Sequence, residues 1–158
     1  MSHCTIFAGN GRGKTPAAVG EALLRASAGE SVVIIQFLKG KGLEQEELLK
    51  RLEPEIKIFH FEKAEENYSE LSKGEQQDEL INIKNGLNFA RKVLSTGSCD
   101  LLVLDEILGI VDNGILKADE LKEMLEMRPE SMDVIMTGIN LSDEVKALSD
   151  EVYKIIPD

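Results

Sequence analysis

Short apolar runs alternate along this chain with longer stretches in which apolar and charged positions recur at helical spacing. The runs 4–8, 32–37, 101–104 and 134–137 are rich in Val, Ile and Leu and mostly apolar on both faces of the period-two alternation. That pattern predicts central strands of a parallel sheet covered by helices on both sides. Residues 56–61 alternate instead, with Ile56, Ile58 and His60 set against Lys57, Phe59 and Phe61, and predict a further strand. Residues 152–156 predict a last edge strand, closed by Pro157.

Helices are predicted between these runs. Residues 14–28 carry Ala17, Ala18, Ala22, Leu23 and Ala26 and stop near Gly29. Residues 43–52 and 75–94 place apolar side chains at helical spacing, 118–127 end before Pro129, and 143–148 follow Ser142, a natural cap. Alternation of this kind implies an α/β fold, an open and mainly parallel sheet with helices on both faces. No repeat or linker divides it, so residues 1–158 read as one domain. Ligands on such sheets bind at the carboxyl ends of the strands.

Charge narrows the choice of partner. The 158 residues hold 18 Lys and Arg against 29 Asp and Glu, a net charge of −11. Such a chain repels phosphate backbones and anionic lipid, so neither nucleic acid nor a membrane is an expected partner, while a local cationic pocket for a small anion stays compatible. No apolar run reaches membrane-spanning length and no basic leader precedes one, which makes a cytoplasmic protein the expectation. Cys4 and Cys99 sit in or beside apolar runs and read as buried thiols in a reducing compartment. His3 and His60 have no second ligand at metal spacing, and Met124, Met127, Met132 and Met136 read as core. The acidic segment 62–79 reads as a solvated loop and helix start.

The chemistry concentrates in Gly9-Asn10-Gly11-Arg12-Gly13-Lys14-Thr15. It follows a predicted strand and opens a predicted helix, the context that a phosphate-binding loop requires. Glycines let the backbone curl so that successive N–H groups face phosphate oxygens, and the helix N-terminus adds its positive dipole end. Lys14 supplies a point charge for the terminal phosphates, Arg12 a second cation at the rim, and the Thr15 hydroxyl a ligand for Mg²⁺. Pro16 falls in the first helical turn, where a missing N–H is tolerated. The usual spacing places a glycine at position 8, where this chain has Ala8.

The second element is Leu101-Leu102-Val103-Leu104-Asp105-Glu106, a buried strand that ends in two acids. Asp105 is placed to hold a Mg²⁺ shell through water, and Glu106 to ligate the metal or to orient a reacting group. Gln36 and Lys39, at the end of the second strand, reach the same edge of the sheet. For these two, a role in the site and simple strand punctuation stay open.

The loop, then Ala17-Ala18, Gln36-Phe37-Leu38-Lys39-Gly40, Leu104-Asp105-Glu106, Arg128-Pro129 and Thr137-Gly138 together resemble the P-loop type of ATP:corrinoid adenosyltransferase. The Gln-Phe-Leu-Lys-Gly block is the diagnostic part, since generic P-loop proteins lack it. The resemblance implies a RecA-like P-loop NTPase fold and a homodimer. It also implies transfer of the 5′-deoxyadenosyl group of ATP to Co(I) of a corrinoid, with release of triphosphate. By position, Asn10, Gly11, Gly13, Lys14 and Thr15 hold the triphosphate within a cofactor-binding stretch that runs from Gly9 through Arg12 to Pro16, with Lys14 and Glu106 in catalytic roles and Thr15, Asp105 and Glu106 serving Mg²⁺. Tyr68 falls in the region that handles the corrinoid. The chain has Pro16 where the family commonly has a second Thr, and Leu24 and Ile139 where it usually has Arg. A nucleotide-binding relative without transferase activity, and a different P-loop ATPase or kinase, are the alternative readings.

Overall fold

The computed structural model describes residues 2–10, 12–37, 50–61 and 70–158. Six strands form one sheet: β1 (Cys4–Ala8), β2 (Val32–Gln36), β3 (Ile56–His60), β4 (Leu101–Asp105), β5 (Asp133–Gly138) and β6 (Glu151–Lys154). Every pairing is parallel and the spatial order is β3-β2-β4-β5-β1-β6. The helices are α1 (Lys14–Ser27), α2 (Lys73–Thr96), α3 (Ile107–Asp112), α4 (Ala118–Glu126) and α5 (Asp143–Lys146). The predicted helix at 43–52 lies largely outside the described residues, as does the segment 62–69 of the acidic stretch.

The strands alternate between two apolar layers. Val33, Ile35, Leu102, Leu104, Val134 and Met136 face a core built with α2, α3 and α4. Val32, Ile34, Leu101, Val103 and Ile135 face the smaller core under Ala18 and Ala22 of α1. Helices on both faces explain why the central strands carry no polar alternation. The edge strand β3 does alternate, yet both of its faces pack. Ile56 and Ile58 lie with the α1 layer, while Phe59 meets Phe89 of α2 with ring centroids 4.7 Å apart.

Local signals explain where the helices begin and end. Ser72 caps α2 in a capping box with Glu75, which carries the helix two residues further back than 75, and Gly97 closes it in the left-handed region at φ 61°. The α3 turn was not predicted, because six residues are too few to display helical periodicity. Among the described residues no helix is long and apolar enough to cross a membrane.

Candidate functional site

β1 delivers the chain to the carboxyl edge of the sheet, where the glycine-rich loop begins. Gly9 adopts φ 131°, and a Cβ there would overlap the carbonyl oxygen of Ile155, just beyond β6. Its N–H donates to Gly138 O at 3.1 Å, so the loop is tied to the end of β5. Ala8, by contrast, is still strand: it is buried and paired with Gly138 and Lys154. The sharp curl therefore starts at position 9, and position 8 has no need of a glycine.

The loop runs into α1 through Gly13, whose carbonyl accepts the first helical bond from Ala17 at 2.9 Å. No acid occupies the first turn of α1, which leaves its positive end for an anion. Pro16 sits exposed in that turn, as expected, and Asn10 and Arg12 are exposed on the loop. Lys14 and Thr15 are buried instead. Gly11, Lys39 and Tyr68 lie outside the described residues.

Beneath Thr15, three neighbouring strands carry a buried polar residue at or one residue before their carboxyl end: Gln36 on β2, Asp105 on β4 and Thr137 on β5. The period of two turns all three toward the α1 layer, since the residues two before them, Ile34, Val103 and Ile135, already lie in it. Asp105 Oδ1 accepts from the Thr15 hydroxyl at 2.9 Å and from the Thr137 hydroxyl at 2.7 Å, and Oδ2 accepts from Gln36 Nε2 at 3.2 Å. Gln36 Oε1 is buried with no hydrogen-bond partner among the described residues. An acceptor left this way is costly unless a ligand or water satisfies it. Next in the chain, Glu106 takes φ 66°, a left-handed conformation rare for a non-glycine residue. Its carboxylate lies 3.9 Å from Lys14 Nζ, with both side chains mostly buried.

The structure thus brings together Gly9, Gly13, Lys14, Thr15, Gln36, Asp105 and Glu106. Gln36, left open from sequence, lies against Asp105 at 3.2 Å. Thr137 was not among the site residues read from sequence. Its signal was a polar residue ending an apolar strand, the same signal that marked Gln36 and Asp105. The oxygen donors Thr15, Asp105 and Glu106 at one edge, beside an acceptor in need of a donor, suit a hard divalent cation that keeps part of its water shell. Elsewhere, His3 contacts Glu151 at 3.0 Å on the surface, and Cys4 and Cys99 are free, buried thiols. Leu24 and Ile139 expose 65 % and 53 % of their surface.

Comparison with known proteins points the same way. A family model described as ATP:corrinoid adenosyltransferase BtuR/CobO/CobP matches residues 2–157. The corrinoid adenosyltransferase of Escherichia coli K12 is 30 % identical over 152 residues, spanning 96 % of this chain and 75 % of the relative. Corrinoid adenosyltransferase CobA of Salmonella typhimurium LT2 is 29 % identical over the same shares of both chains. Among solved structures, a KaiC-like protein of the hyperthermophilic archaeon Pyrococcus horikoshii OT3 superposes with a TM-score of 0.65 at 19 % identity, covering 98 % of this chain and 71 % of that one. That likeness concerns the fold alone and fits the RecA-like arrangement.

Proposed function

The chain belongs to the ATP:corrinoid adenosyltransferase family, and from that premise we propose that it moves the 5′-deoxyadenosyl group of ATP onto Co(I) of a corrinoid. In that reaction the cobalt electron pair forms the Co–C5′ bond, the C5′–O bond breaks, and triphosphate leaves. The nucleophile is the corrinoid metal, so the protein needs no serine, cysteine or general base. Its tasks are to orient C5′ and to neutralise the charge that gathers on the departing triphosphate.

The observation that carries the reading is the buried Lys14–Thr15–Asp105 cluster under a helix start free of acids. The loop from Gly9 through Pro16 wraps the triphosphate, with backbone N–H groups between Asn10 and Thr15, including those of Gly11, Arg12 and Gly13, turned to its oxygens. Lys14 places its ammonium against it. Thr15, Asp105 and Glu106 would hold Mg²⁺, which would add positive charge beside the leaving group. The Thr15 hydroxyl donates to Asp105 at 2.9 Å, which ties the start of α1 to the acid at the end of β4. Glu106 balances Lys14 and keeps the ammonium at the loop. Gln36 holds Asp105, and Lys39 and Tyr68 attend the substrates.

A homodimer in the cytoplasm completes the reading. Exposed Leu23 and Leu24 of α1, with Tyr153 of β6 stacked on Phe7, give the α1 face apolar surface for a second copy. The test is anaerobic: ATP, Mg²⁺ and chemically reduced cob(I)alamin are mixed with the protein and the corrinoid spectrum is followed. A light-sensitive alkylated corrinoid is the expected product. Tight ATP binding without any change in the corrinoid would instead assign the chain to nucleotide binding without transfer.

A further inference from the structure

Thr137 has no part in the mechanism above, yet it is fully buried at the carboxyl end of β5, beside both acids. Its hydroxyl donates to Asp105 Oδ1 at 2.7 Å and accepts the Glu106 backbone N–H at 2.8 Å. A hydroxyl has one proton and two lone pairs, so this pair of bonds fixes its orientation. One side chain on β5 thereby grips two consecutive residues at the end of β4.

The two bonds act on different features of the site. The first sets the face that the Asp105 carboxylate presents, together with Thr15 and Gln36. The second secures Glu106 at φ 66°, the turn from which its carboxylate comes back to within 3.9 Å of Lys14 Nζ. The hydroxyl is itself held firmly. The next residue, Gly138, lies so close to α3 that a Cβ would overlap Leu108, and its carbonyl accepts the Gly9 N–H at 3.1 Å. The end of β5 therefore joins the loop, the two acids and the first turn of α3.

We propose that Thr137 is a positioning residue, whose hydroxyl sets the directions of Asp105 and Glu106 for the cation that accompanies the triphosphate. The proposal rests on the reading of Asp105 and Glu106 as Mg²⁺ residues. Groups that orient metal ligands typically change metal affinity or activity about 10- to 100-fold when removed. Valine keeps the shape of threonine and loses the hydroxyl, so Thr137→Val isolates the two bonds, and Thr137→Ser restores them.

The test is calorimetric titration of ATP into wild type, T137V and T137S over a range of Mg²⁺ concentrations, with thermal melts as a check of folding. The expected result is about a tenfold rise in the half-saturating Mg²⁺ for T137V. ATP binding without Mg²⁺ should be unchanged and T137S should lie close to wild type. A T137V protein that melts lower yet keeps the wild-type Mg²⁺ dependence overturns the proposal and leaves Thr137 a structural residue. Loss of the folded state in T137V and in Thr137→Ala alike does the same. A wild-type protein indifferent to Mg²⁺ overturns the metal reading first, and the proposal with it.

Discussion

In the proposed function, Lys14 is the residue on which triphosphate binding depends most, because its ammonium is buried at the loop and faces Glu106. Replacing it with alanine removes a charged hydrogen-bond donor and leaves Glu106 without that counter-charge. Lys14→Ala should weaken ATP binding roughly 10- to 100-fold, as loss of a charge-assisted bond implies, with little change in the melting temperature. Equilibrium binding and a thermal melt on the same sample check both halves. Retained affinity would contradict the assignment of the loop. The two cysteines make the opposite case, groups with chemistry that the fold suppresses. Burial pushes the Cys4 and Cys99 thiols up to about 11. At pH 8 only about a thousandth of each is then thiolate, the reactive form. A disulfide reagent at pH 8 should label the native protein very slowly and release two equivalents in guanidinium. Rapid labelling of the native state would contradict this burial.

At the scale of elements, two glycines inside helices make a paired prediction. A Cβ at Gly20 of α1 meets nothing within 4 Å, so Gly20→Ala should stabilise the protein by about 0.5–1 kcal/mol through helix propensity. At Gly86 of α2 a Cβ would come within 2.8 Å of Phe37 and 2.9 Å of Phe61. Gly86→Ala should therefore cost about 1–3 kcal/mol through overpacking. Denaturant unfolding of both variants gives the comparison, and equal effects would mean that α2 does not press on the end of β2 as described. The same contrast explains how much of the architecture was legible in the sequence. The runs at 32–37, 101–104 and 134–137 read as parallel strands because each is buried on both faces, and 4–8 because one face is buried and the other half-buried. The helix at 75–94 was legible in its middle, but its start at Lys73 depended on the Ser72–Glu75 capping box, which apolar spacing does not reveal. The loop from Gly9 to Thr15 and the acids Asp105 and Glu106 stand out in the sequence because a phosphate and metal site would demand those residue types, and the structure brings Lys14, Thr15, Asp105 and Glu106 together. Thr137 carries the same strand-end signal as Gln36, but its bond to Asp105 depends on the register of β5 beside β4, which the sequence does not show.

The whole molecule carries a net charge of −11 and yet is read as a binder of a polyanion. The arrangement of the sheet resolves the tension. With the order β3-β2-β4-β5-β1-β6, the ends of β2, β4, β5 and β1 lie side by side, and α1 starts directly above them. Backbone N–H groups, Lys14 and Arg12 thus make one cationic edge, and the described acids at it are Asp105 and Glu106, which suit a cation. The central claim is that this edge leaves the triphosphate intact while C5′ departs. Identifying the phosphorus-containing product, with and without reduced corrinoid, tests it most directly. The account predicts inorganic triphosphate in amounts equal to the adenosylated corrinoid, and none when corrinoid is omitted. ADP and phosphate formed whether or not corrinoid is present would contradict it and make the protein a hydrolase.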